Sequence, residues 1–125
     1  MSIHTLMTAD DNNAELVNFA KATAERLVKD QLTRSQIRNI FTEVRRIEAL
    51  WPEPDAMRRL NMLKPKLSYQ TARTRQVEYL EKVLVEAIDE VGKATDLESR
   101  TQRFQRFVDL FEAILAYHRA EGGRN

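Results

Sequence analysis

The stretch LTRSQIRNIFTEVRRI, residues 32–47, decides the fold of this chain. It sets Thr33 three positions ahead of Gln36. At a helix start the hydroxyl of such a threonine accepts from the backbone N–H at the glutamine, whose amide reaches back to the threonine N–H. Apolar residues then recur at Ile37, Ile40, Phe41, Val44 and Ile47, the spacing of one face of an α-helix. At about 100° per residue, Arg34, Arg38 and Arg45 fall in one narrow stripe beside Ile37 and Phe41. The run predicts a helix with a buried side and a cationic rim.

The same signals recur on both sides of it. Asn12 with Glu15 and Thr95 with Glu98 repeat the cap pattern. Helical spacing follows each: Leu16, Val17, Ala20, Ala24, Leu27 and Val28 in one case, Phe104, Phe107, Val108, Phe111, Ile114 and Leu115 in the other. A fourth run, Val77 to Val91, is expected to stop at Gly92 in a left-handed turn. A fifth, shorter helical segment lies between Pro54 and Arg73, where Pro65 should break or kink it. Trp51, just before Pro52, is expected to plug the core where the 32–47 helix ends, and Met57 and Met62 to fill gaps. No segment alternates apolar and polar residues as a half-buried strand does. The expectation is an all-α, compact single-domain bundle of about five helices with short loops. It spans residues 13–121, with residues 1–12 and 122–125 as flexible ends.

Composition agrees. A chain of 125 residues can bury roughly two thirds of its unfolded surface, and 42% hydrophobic with 31% charged residues is the balance of a folding sequence. Three glycines and three prolines supply few turns for an all-β fold. The absence of cysteine excludes disulfides, thiolate zinc sites and a cysteine nucleophile, and fits a cytoplasmic setting. The N-terminus lacks the basic and apolar regions of a secretory signal, and no apolar run approaches a membrane span.

Net charge is only +1, but it is unevenly spread. Residues 33–77 hold ten basic and four acidic residues, while the flanking thirds are net negative. From Ala56 to Val77 there are six basic residues and no acid. Within that segment LKPKLSYQTARTR, residues 63–75, sets Lys66, Tyr69 and Arg73 at i, i+3 and i+7 with Gln70 alongside. Cations with an aromatic between them suit a phosphate backbone; equally, they suit a solvated helix face with a half-buried tyrosine.

Chemistry has little to work with. His4 and His118 are far apart, and His118 falls on the apolar arc of the last helix, where a hydrogen-bonded structural histidine is expected. There is no Glu-x-x-His pair for a di-metal bundle, no glycine loop for phosphate and no nucleophile elbow. No metal or cofactor is expected.

Three stretches taken together, LTRSQIRNIFTEVRRI (32–47), LKPKLSYQTARTR (63–75) and FVDLFEAILAYHRAEGG (107–123), resemble the small subunit of the type III-A CRISPR–Csm interference complex. The resemblance covers most of the chain from residue 14 onward. It implies a non-catalytic helical bundle, present in several copies that stack along the complex, in antiviral defence. Its implied partners are the other Csm subunits, copies of itself and the guide RNA–target RNA duplex. Of the residues in the matching motifs, Arg38, Arg45, Lys64, Lys66, Tyr69 and Arg73 are then the candidates to face nucleic acid, with Arg34, Arg46 and Arg75 as secondary ones. The acidic cluster at 78–90 departs from a channel lining and is expected to face solvent or a neighbouring subunit. Two other readings stay open: a protein-interaction bundle whose basic segment docks on an acidic partner, and a small all-helical enzyme of the chorismate-mutase kind that clamps a dianion.

Overall fold

The structure, a computed structural model, describes residues 2–10 and 12–125. Among the described residues it holds six α-helices: α1 (Ile3–Thr8), α2 (Ala14–Lys29), α3 (Arg34–Leu50), α4 (Pro54–Arg73), α5 (Glu78–Gly92) and α6 (Leu97–Ala120). A 3-10 turn, Arg75–Val77, joins α4 to α5, and no strand occurs among the described residues. The expected all-α class is what the chain adopts. Helices α3, α4, α5 and α6 each pack on the next, and α3 also packs on α6, closing a four-helix ring. Helix α2 lies along α6, and α1 sits on α5 and α6.

Burial holds these helices more than local propensity does. Leu60, Leu67, Leu80, Ile37, Ile47, Phe107 and Phe111 are fully buried and fill the ring. Phe41 meets Phe111 edge-on with centroids 5.0 Å apart. Trp51 closes one end, stacked on Phe104 at 4.2 Å with its indole N–H donating to Thr101 Oγ1. Met57 packs against the core, whereas Met62 stands half exposed on α4.

Cap chemistry is as expected at one helix of three. Thr33 and Gln36 form both halves of the box, at 3.1 and 2.8 Å. At α2 the cap is Asp10, whose carboxylate accepts from the backbone N–H groups of Glu15 and Leu16. Asn13, the residue before the helix, is left-handed and donates from its side chain to Asp109 of α6 instead. At α6 the register is one residue later than expected: Asp96, not Thr95, accepts from the Ser99 N–H.

Pro65 does not break α4, which runs unbroken for 20 residues. A proline inside a helix costs roughly 3 kcal/mol. Leu60, Leu63 and Leu67 straddle it and are all buried, and at about 1.5–3 kcal/mol each their burial outweighs that cost. Pro65 itself points to solvent. Nor does Gly92 adopt a left-handed conformation; it ends α5 within the helix, and the glycine at positive φ is Gly122, after α6.

Both ends, expected to be flexible, are tied to the bundle where they are described. Residues 3–8 form α1, with Ile3, Leu6 and Met7 buried; Met1 and Asp11 lie outside the described residues. Ile3, Leu6 and Met7 are spaced three and four apart, enough for an amphipathic turn. At the other end the Gly123 N–H donates to the His118 carbonyl, and the Arg124 carbonyl accepts from the Arg34 N–H at the start of α3. A Cβ on Gly123 would lie 2.6 Å from the His118 carbonyl oxygen, so only glycine fits there.

Candidate nucleic-acid interface

The two cationic rows read from the sequence lie on neighbouring helices, α3 and α4, and between them Arg46 of α3 and Lys66 of α4 meet at Glu43. Its carboxylate sits 3.4 Å from Arg46 and 3.6 Å from Lys66, so one acid in the α3–α4 seam links the cations of both helices. Beyond Lys66, along the outer side of α4, come Tyr69, 62% exposed, and Arg73. The Arg73 guanidinium lies 5.7 Å over the Tyr69 ring and meets no carboxylate among the described residues. Lys66 and Arg73 therefore share one ridge. Tyr69 stands out from the body rather than half-buried in it.

On the other flank of α3 the stripe of Arg34, Arg38 and Arg45 lines a groove against α6. Ile37, Phe41, Leu115 and Ala116 form its apolar part, and α6 adds Arg119 and Glu112. Its volume is about 300 Å³. Arg45 is heavily engaged, donating to Glu48 at 2.7 Å and to Glu112 at 2.9 Å while lying 4.7 Å over the Phe41 ring. The hydrogen bond to Glu48, with the charges of both glutamates, outweighs desolvation and raises its pKa further above the ordinary arginine value. Arg38 and Arg119 are exposed and meet no carboxylate among the described residues.

Two candidates stand apart, and a third lies between the rows. Lys64 is two residues from Lys66, hence about 160° around α4, and pairs at 2.8 Å with Asp89 in the seam with α5. Arg75 lies past the end of α4, 3.4 Å from Glu78. Arg46 lies on the outer side of α3, between groove and ridge. Arg119 was missed in the sequence because it falls at the helix end, outside the apolar run. Its position four residues after Leu115, in AYHR, was the available signal.

His118 is fully buried and donates from Nε2 to the Leu32 carbonyl at 2.7 Å, as a structural histidine. The carboxylates at 78–90 are not one face. Asp89 and Glu81 meet Lys64 and Ser68 of α4, whereas Glu90 is buried and held by His4, Lys93 and Arg103.

Fold and surface together define a class, the small all-α bundle with exposed cations along two neighbouring helices. Within that class the chain belongs to the Csm2 Type III-A family, whose model matches residues 10–124. It is a small subunit of the type III-A Csm complex and associates with that complex's other subunits. Neither a curated protein nor a solved structure matches it. No helix among the described residues is long and apolar enough to cross a membrane.

Proposed function

We propose that the chain is a non-catalytic, RNA-facing subunit, stacked in several copies along the guide–target duplex. Its cations on α3 and α4 lie against the sugar-phosphate backbone. The supporting observation is the junction at Glu43, which makes the Arg46 side of α3 and the Lys66–Tyr69–Arg73 ridge of α4 one surface. Contacts of this kind ignore sequence, as a subunit serving any guide requires. The surface consists of Arg46, Lys66, Tyr69 and Arg73, and Arg38, Arg45 and Arg34 extend it around α3 toward the α6 groove. Lys64 and Arg75 lie outside it. The exposed Glu86 of α5 is left for a neighbouring copy or another subunit.

Affinity per copy is small, and stacking multiplies it, so the assembled complex is the fair sample. Replacing Arg38, Lys66 and Arg73 by alanine should weaken retention of target RNA. It should also flatten the log–log salt dependence by roughly one for each phosphate left without its cation. Lys64→Ala should leave the slope as it is. An assembled triple variant with the wild-type slope would contradict the assignment of these residues.

A further inference from the structure

The ridge on α4 needs nothing but charge to hold a phosphate backbone, whereas the α3–α6 groove is built differently. At about 300 Å³ it lies at the small end of ligand sites, the size of one nucleotide rather than a helix. Its floor is apolar, and three of its arginines, Arg34, Arg38 and Arg119, meet no carboxylate among the described residues. The Nε of Arg34 is buried with no hydrogen-bond partner among them. Arg45 is the fourth, and its N–H edge is already occupied by Glu48 and Glu112. One face of its guanidinium lies on Phe41, and the side chain, which lines the groove, remains 47% exposed to solvent. With its edge occupied, what Arg45 offers a ligand is a planar, delocalised face. Such a face stacks on a flat aromatic ring.

We propose that this groove is a subsite for one unpaired nucleobase. The base stacks on the outer face of Arg45, and its phosphate lies among Arg34, Arg38 and Arg119. The inference rests on the RNA-facing reading and adds to it a contact with a base ring, indifferent to base identity because every base has a π-face. An acidic peptide is the less apt occupant, since carboxylates would seek the N–H edges that Arg45 has already committed and would meet Glu112 at the rim.

The test is a nuclear magnetic resonance titration of the full chain with 5′-AMP, ribose 5-phosphate and N-acetylphenylalanine, each at matched ionic strength. The expected result is saturable shifts at Phe41, Arg45 and Ala116, with AMP binding at least about fivefold tighter than ribose 5-phosphate. Arg45→Lys, which keeps the charge and removes the plane, should abolish that preference. Ala116→Trp, which fills the groove from an exposed position, should remove the shifts. Equal binding of AMP and ribose 5-phosphate, tighter binding of N-acetylphenylalanine, or no shift in the groove would each overturn the subsite. If any of these occurs while the assembled complex keeps a salt dependence carried by Arg38, Lys66 and Arg73, the RNA-facing role stands and the base subsite alone falls.

Discussion

Glu43 is the residue on which the proposed surface turns, because its one negative charge holds Arg46 and Lys66 at 3.4 and 3.6 Å. Both contacts are long and their cations are exposed, and pairs of this kind contribute roughly 0.2–1 kcal/mol. They cost little to exchange for phosphate. Glu43→Gln should therefore leave thermal stability nearly unchanged and raise RNA affinity by up to roughly fivefold at low salt, an increase that shrinks as salt is added. Lower affinity in that variant would mean that Glu43 positions the cations rather than competing for them. The single residues also show where sequence reading ends. Helical spacing alone placed Lys66, Tyr69 and Arg73 on one ridge and Arg34, Arg38 and Arg45 on another. What spacing within one helix does not encode is the partner across a seam. Asp89, which takes Lys64, and Glu112, which takes part of Arg45, lie 25 and 67 residues away.

At the scale of elements, α1 and α4 test the physical picture most sharply. Helix α1 is too short to persist alone, and its attachment includes His4 donating to the buried carboxylate of Glu90 at 2.6 Å, beside Lys93 at 3.0 Å. Burial pushes the Glu90 pKa up, but hydrogen bonds from His4 and Lys93 outweigh it and hold the group below the ordinary glutamate value of 4.5. A carboxyl lowered in the folded state stabilises fully above its unfolded value, and the gain disappears as pH falls through the lowered one. Protection of the α1 amides against hydrogen exchange should accordingly fall below pH 4.5 before the ring opens, and Glu90→Gln should remove that pH dependence. Unchanged protection of α1 across this range would show that Ile3, Leu6 and Met7 alone hold it. In α4, Pro65→Ala restores a helix donor at an exposed site. After the loss of proline's restraint on the unfolded chain it should stabilise the protein by about 2 kcal/mol in denaturant titration. Destabilisation would mean that the proline shapes the helix. The elements were largely legible because the apolar stripes of α2 to α6 are long and regular. Proline and glycine rules misled at Pro65 and Gly92, where burial of the flanking leucines and a helical end at Lys93 prevailed over local preference.

Over the whole molecule, the sorting of charge is the organising feature. The four-helix ring exposes cations about α3 and the outer side of α4. Of the α5 carboxylates, Glu81 and Asp89 meet α4 and Glu90 mounts α1, while Glu86 stays exposed. Core integrity and surface chemistry are separable in such a body. Phe111→Ala, at the centre of the ring, should cost about 3–5 kcal/mol, while the surface variants should melt close to the wild type. The most direct measurement is a structure of the assembled type III-A complex with guide and target RNA bound. RNA phosphates are expected within salt-bridge distance of Lys66, Arg73 and Arg38 in every interior copy, with Lys64 still on Asp89. A structure in which that surface is covered by another protein subunit, or faces open solvent while RNA runs along a different side, would contradict the RNA-facing role.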